Sequence, residues 1–418
     1  MLRKELCEAI HDGNFQEACT ILHGDQKLAA SKVGGKPIIE IAASCGQVQT
    51  VKLLLECGAN ASSIRDEDGR STLHSVCEDD LGIEMARLLL RAGADPNAAD
   101  FSAWTPLHCC AAMGAVPYAA LLLEAGAKVD ALNDSDQTPL LLACESSDSQ
   151  WVNRGCDYQG VVSLLLQHHA NVNQVDSFGE TPLHMAVRFR KTKIAELLCA
   201  SGSLVNTVSG HPSGDMAPLH ISSSLQDVET VRVLVRAGAD VDQEHFGSGN
   251  TPLMISIQQS SDDLLVKELI TAGARAIRPS TLSGLTAVHI AAHCGHRHIL
   301  KFLMSTIATA DNDPPYCSSS HDIAPSEGLR SEMARIVPTP MHLACSEGHF
   351  EVVQYLLNAA PQQASSKDSQ GATPLDVALK KGHHLVSNLI MEYITGQHSP
   401  VATQSDYIIP LINSSSKR

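Results

Sequence analysis

Aromatic side chains are scarce in this 418-residue chain: two Trp, six Tyr and seven Phe make up 4% of it. With 44% of residues apolar, the core must therefore be built from Leu, Ala, Val and Ile, which suits thin, stacked helices. Basic residues are also short, 30 Lys and Arg against 46 Asp and Glu, leaving a formal charge of −16. That balance argues against broad affinity for phosphate backbones or anionic lipid, so nucleic acid is not expected as a ligand. Long hydrophobic runs are missing too. No stretch approaches the roughly 18 apolar residues of a spanning helix, and the basic opening MLRKELCEAIHDG is not followed by the apolar core of a signal peptide. The 13 cysteines form no CxxC pair, and Cys109 and Cys110 are adjacent, the pattern of reduced thiols in a cytoplasmic or nuclear protein. There is no GxSxG, no Gly-rich phosphate loop and no HExxH, so neither catalysis nor a cofactor is expected.

Repetition is what the sequence does contain. TPLH stands at 105–108 and 181–184, TPMH at 339–342, TPLL at 138–141, TPLM at 251–254 and TPLD at 373–376. Weaker copies begin at Lys36 (KPII), Ser71 (STLH), Ala217 (APLH) and Thr286 (TAVH), and the steps between neighbouring copies cluster at 33–35 residues. Thr or Ser accepts an orphan amide at a helix start, and Pro suits the first helical position, where its missing N–H costs nothing. Each copy therefore opens a helix. About nine residues on, a glycine often closes it, as at Gly46, Gly114, Gly295, Gly348 and Gly382. A second helix follows, with apolar runs such as VKLLL at 51–55 and ARLLL at 86–90, ending at another glycine or, once, at His169. Short polar turns such as RDEDGR (65–70) and VDSFGE (175–180) then form projecting hairpins.

The order of TPLH, Gly-His between helices and a GADxN-like ending (Gly93 to Asn97) resembles the ankyrin-repeat family over about residues 2–393, in eleven units. The resemblance implies an all-α solenoid of helix-turn-helix units with projecting β-hairpin loops. It divides the chain into a divergent N-terminal capping repeat at 1–35, repeats at 36–372, a C-terminal capping repeat at 373–393 and a flexible tail at 394–418. Two steps are long. Insertions at 145–160 and 306–338 account for them, and both compositions read as loops, either tolerated surface insertions or partner contacts. In the tail, YIIPLI at 407–412 is an apolar patch that reads as a frayed terminus or a docking peptide.

Residues 289–298, HIAAHCGHRH, look like a metal site. His289 and His296, however, fall in slots that recur in other repeats. His293, Cys294 and His298 are left, with Cys317 and His321 of the insertion as the remaining donors, too few well-placed ligands for a structural zinc site, so no metal is expected. Cys45, Cys294 and Cys345 read as packing residues.

What remains is recognition of other proteins. The resemblance implies a non-enzymatic adaptor or scaffold, expected as a monomer, that engages protein partners along a concave face and at hairpin tips. Alternatives are a substrate-recognition subunit of a ubiquitin ligase or an inhibitory subunit that masks its partner. The ligase reading expects a helical box after the repeats, and the residues after 393 read as too short and too polar for one. Partner contacts are expected at the two positions before the inter-helix glycine, among them Met113, Arg188, Phe189, Leu225 and His293, and at the hairpin aromatics Phe101, Trp104, Phe178 and Phe246. Those aromatics could equally pack hairpin against hairpin. The cluster RFRKTK, with Arg188, Arg190, Lys191 and Lys193, stands out in an acidic chain and is expected to meet an acidic or phosphorylated segment. The resemblance also marks Asn97, Asn173 and Asn206, each eight residues after a leucine, as candidates for asparaginyl hydroxylation; a purely turn-forming role is the alternative.

Overall fold

A computed structural model of the chain describes residues 2–78, 81–145, 156–210, 215–310 and 337–396, and it is all-α. Among these residues 22 α-helices follow one another in eleven pairs. The chain divides into two compact units, Met1–Pro218 with Arg236–Gly238, and Leu219–Val235 with Ala239–Arg418.

The first unit begins with α1 (Leu2–His11) and α2 (Phe15–Gly24), followed by α3 (Ile38–Ser44) and α4 (Val48–Glu56). The pairs α5 (Thr72–Glu78) and α6 (Ile83–Arg91), α7 (Pro106–Met113) and α8 (Val116–Glu124) come next. It ends with α9 (Pro139–Glu145) and α10 (Tyr158–Gln167), then α11 (Pro182–Arg188) and α12 (Thr192–Ala200). First helices α3, α5, α7, α9 and α11 pack in sequence, as do second helices α4, α6, α8, α10 and α12. The core is aliphatic, as the shortage of aromatics requires: Leu54, Leu89, Leu122, Leu165 and Leu198 occupy equivalent places on successive second helices and are buried.

The second unit holds α13 (Pro218–Ser224) with α14 (Val228–Arg236), and α15 (Pro252–Gln259) with α16 (Leu264–Thr271). Three further pairs are α17 (Ala287–His293) with α18 (Arg297–Ala310), α19 (Pro340–Glu347) with α20 (Phe350–Ala359), and α21 (Pro374–Lys381) with α22 (His384–Thr395). Here α15, α17, α19 and α21 stack in order, with α18, α20 and α22 beside them.

Helix ends follow local chemistry. Gly114, Gly348 and Gly382 take left-handed φ values of 65°, 76° and 79° where first helices stop. His169, Arg190 and Gln226 adopt the same conformation at φ 63°, 56° and 57°, each with a side chain that disfavours it.

Several expectations need correction. The third helix starts one residue later than KPII suggests: Pro37 is its N-cap, and Glu40, not Ile39, fills the slot held elsewhere by histidine. The stretches read as loops are partly helical, because α18 continues to Ala310 with Ile307 buried, α10 begins at Tyr158, and α22 runs to Thr395. The hairpins are mostly turns. Among the described residues, paired strands are limited to β1 (Lys32–Val33) and β2 (Lys36–Pro37), with one bridge between Ile64 and Ser71. The reason is a side chain that replaces ladder bonds: Asp100 Oδ1 accepts from Ser102 N and Trp104 N, each at 2.9 Å. Asn133, Asp176 and Asp368 do the same. Residues 146–155 and 311–336 of the insertions, with Cys317 and His321, and the tail patch 407–412 lie outside the described residues.

Candidate partner-binding surface

The recurrent histidines are structural. In the first unit, Thr105 N and Thr181 N donate to Nδ1 of His108 and His184 at 3.0 and 3.2 Å. With Nδ1 accepting, the proton sits on Nε2, which donates to the carbonyl just before the next repeat: Gln137 O at 3.1 Å and Met216 O at 3.1 Å. His74 bridges Ser71 to Trp104 O in the same way, and in the second unit His342 bridges Thr339 to Ala372 O. Each ring thus caps its own helix and fastens the following repeat. Burial holds His184, His220 and His289 down to about 4 and lowers His74, His108 and His342 as well, so all stay neutral at pH 7.

A second fastening lies four residues after the left-handed residue that ends a second helix, Gly93, His169 or Gly202. Asn97 Nδ2 donates to Gly126 O at 3.1 Å while its Oδ1 accepts from Lys128 N at 2.7 Å. Asn173 makes the matching bonds to Gly202 O and Leu204 N at 3.3 and 2.8 Å, and Asn206 Nδ2 reaches Gly238 O at 3.3 Å. Ser62 and Asp130 serve in this slot with other chemistry. The sequence marks the slot but not its reach into the neighbouring repeat, which depends on stacking.

The expected contact residues fall into different settings. Phe101 is 66% exposed, yet its ring covers the preceding tip, where a Cβ on Gly69 would come within 2.5 Å of it. Trp104 is half-buried, its ring centroid 6.0 Å from that of His108. Phe178 is exposed at the tip of the turn closed by Asp176. In the second unit Phe246 is 81% exposed, Leu225 is half-buried after α13, and His293 ends α17 with Nδ1 3.9 Å from Glu347 Oε1. Met113 is half-buried at the end of α7.

Variation at the helix ends is partly answered inside some repeats. In three repeats of the first unit the residue before the helix cap pairs with the residue eight positions later: Arg70 with Glu78, Glu180 with Arg188, and Gln137 Nε2 with Glu145 Oε2 at 2.9 Å. Between the first two pairs the charges are exchanged. Arg188 therefore runs back along α11 to the buried carboxylate of Glu180, and the basic cluster is split. Its other members face elsewhere. Arg190, Lys191 and Lys193 line a cleft of ≈ 530 Å³ with Phe189, Ile194, Thr192 and, from the start of α10, Cys156, Asp157, Tyr158 and Gln159. Lys191 Nζ lies 4.2 Å from the centre of the Tyr158 ring. This is the end of α11 opposite the hairpin, so Phe178 and the cleft-lining part of the cluster are a helix length, about 10 Å, apart.

In HIAAHCGHRH, His289 caps from Thr286, with Oγ1 2.8 Å from Nδ1. His298 Nε2 contacts Ser261 O at 2.5 Å, and His296 interacts with the Ile257 backbone. Corresponding Gly-His residues reach back likewise, His349 to His293 O at 2.8 Å and His383 to Ser346 O at 3.0 Å. These partners turn the rings away from a common centre; no group of three or more potential metal ligands occurs among the described residues. Burial pushes the thiols of Cys109, Cys144 and Cys345 up to about 12 and raises Cys294, which keeps them protonated and poorly nucleophilic. No helix among the described residues is long and apolar enough to cross a membrane.

Comparison with known proteins gives a family model for ankyrin repeats, in three-copy form, matching residues 6–100, 82–154, 152–245, 219–314 and 329–399. Similar proteins include ankyrin repeat and SOCS box protein 16 of Homo sapiens, 30% identical over 259 residues, 60% of this chain and 48% of that protein. The nuclear factor NF-kappa-B p105 subunit of Gallus gallus is 26% identical over 242 residues, 57% of this chain and 23% of that one. The ankyrin repeat and KH domain-containing protein mask-1 of Caenorhabditis elegans is 26% identical over 265 residues, 63% of this chain and 9% of its own length. The chain thus spans less than half of each relative.

Proposed function

The chain belongs to the ankyrin-repeat family, a family of protein-interaction modules, and on that premise we propose that it is a non-enzymatic adaptor or scaffold that holds protein partners on its hairpin tips and helix ends. One observation carries the finer reading. In a chain of net charge −16, Arg190, Lys191 and Lys193 gather on one cleft with Phe189 and Tyr158 on its walls. Such a cleft suits an acidic or phosphorylated partner segment, with the rings supplying apolar contact. Arg188, neutralised by Glu180, is left out of the binding set.

Two multiple variants test this reading: Trp104→Ala with Phe178→Ala, and Arg190→Glu with Lys191→Glu and Lys193→Glu. Affinity purification from cells with mass spectrometry is expected to lose partners from each variant while helicity and melting stay unchanged. Full retention of wild-type partners by both would overturn the assignment. A substrate-recognition subunit of a ubiquitin ligase is a second reading, supported by likeness to a protein named for ankyrin repeats and a SOCS box. Co-purifying ligase subunits would favour it over plain scaffolding.

Hydroxylation of Asn97, Asn173 and Asn206 belongs to the same proposal. Because both ends of the Asn97 and Asn173 amides are engaged, a modifying enzyme must first loosen the turn. Peptide mass spectrometry of protein from oxygenated cells should show an added oxygen on at least one of the three; its absence from all of them refutes the assignment.

A further inference from the structure

The geometry of the first unit points to a docking strip for an extended, basic, proline-rich segment of a partner protein. Five consecutive turns carry an apolar residue in one register: Ile64, Ala99, Leu132, Val175 and Val208. In each turn the amide of the following residue closes onto the carbonyl just before the next helix cap, as Asp100 N does on Trp104 O at 2.9 Å and Asp176 N on Glu180 O at 3.1 Å. A shared closure gives the preceding side chain a shared direction. Burial by the fold would be the usual fate of such residues, yet all five are exposed, the four large ones to 41, 45, 39 and 45%. In the second unit the same register holds Glu244, Pro279 and Lys367, so the apolar strip is a property of the first.

Spacing selects the occupant. Neighbouring tips are tied by Phe101 N to Asp68 O at 2.9 Å, Asp134 N to Ser102 O at 3.2 Å and Ser177 N to Ser135 O at 3.1 Å. They therefore follow the spacing of the helices beneath, about 8–10 Å. A polyproline II segment has three residues per turn at 3.1 Å each, so every third side chain faces one way at intervals of about 9.3 Å. That matches one side chain per repeat. A β-strand repeats on one face about every 6.8 Å and an α-helix turns about every 5.4 Å, and neither keeps step over five repeats. Charge selects further: exposed Glu67, Asp134 and Asp136 on the same turns favour Lys or Arg at the ligand positions that do not touch the strip, Asp66 being already paired with Lys32. Proline presets the extended form and so reduces the ordering cost of binding.

The test uses the full chain and a fluorescein-labelled peptide of five Leu-Pro-Lys triplets, read by anisotropy. Its control has the same composition shuffled so that no two leucines are three apart. The triplet peptide should bind at least about tenfold more tightly than the control, and Leu132→Ser with Val175→Ser should lose about tenfold, as expected for withdrawing two branched side chains from a contact. Loss of cellular partners by the Trp104 and Phe178 variant is read separately by affinity purification, which separates failure of this strip from failure of the adaptor reading. Equal binding of the shuffled peptide would mean a non-specific polycation effect and overturn the proposal. So would no binding of the triplet peptide, or undiminished binding by the serine variant with unchanged melting.

Discussion

His184 joins two repeats through a single ring: Thr181 N and Oγ1 meet Nδ1, and Nε2–H meets Met216 O. Burial sets its pKa at about 4, below the 6.5 of a free imidazole. On acidification the unfolded chain therefore takes up the proton first. The stability that this ring contributes is complete above pH 6.5 and is lost as pH falls toward 4, by up to about 1.4 kcal/mol per unit. His220 and His289 behave alike in the second unit. Urea midpoints should accordingly fall steadily between pH 6.5 and 4.5, and His184→Leu should cost about 2–3 kcal/mol at pH 7 by stranding the Thr181 amide and the Met216 carbonyl. A flat midpoint profile over that range would count against neutral, buried histidines.

At the scale of the element, the pairing across eight residues explains why first helices tolerate different end residues. Arg70 with Glu78 on α5 and Glu180 with Arg188 on α11 are the same contact with the charges exchanged. Arg188→Glu places a carboxylate beside Glu180, which is 2% exposed, and should destabilise by about 2 kcal/mol; the exchanged pair Glu180→Arg with Arg188→Glu should recover most of it. Equilibrium denaturation of both singles and the double measures the coupling. Additive losses would mean that the two side chains do not cooperate. Sequence made Arg188 a partner-binding candidate because its local neighbours Arg190, Lys191 and Lys193 drew the reading, while Glu180 lies eight residues back, just before the cap of α11.

For the whole molecule, the repeat's apolar faces need cover at the ends. Leu6, Ile10 and Leu22 of α1 and α2 are fully buried, α1 and α2 pack on α3 and α4, and the Gln47 side chain donates to Ile10 O. Removing residues 1–35 should expose that face of α3 and α4 and produce aggregation, detectable by light scattering and size-exclusion chromatography. A truncated chain that remains monomeric with an unchanged melting curve would refute the capping role assigned to 1–35.

The fold was legible because its determinants are local and repeated. Thr-Pro fixes a helix start, a left-handed glycine fixes its end, and an aliphatic stripe marks the buried face, so ten of the eleven helix pairs could be read from the spacing of their openings, and the divergent first pair from its likeness to a capping repeat. Phase was less secure where the signal was weak: KPII has Pro without a capping hydroxyl, and its helix begins one residue later. The contact surface was legible only as a set of residue types. Whether Phe101 covers Gly69, whether Arg188 is already matched by Glu180, and whether Arg190, Lys191 and Lys193 share a cleft with Tyr158 all depend on residues eight to more than thirty positions apart. Those distances close only when repeats stack, since sequence periodicity specifies what each unit buries while tertiary packing decides which side chains remain for a partner.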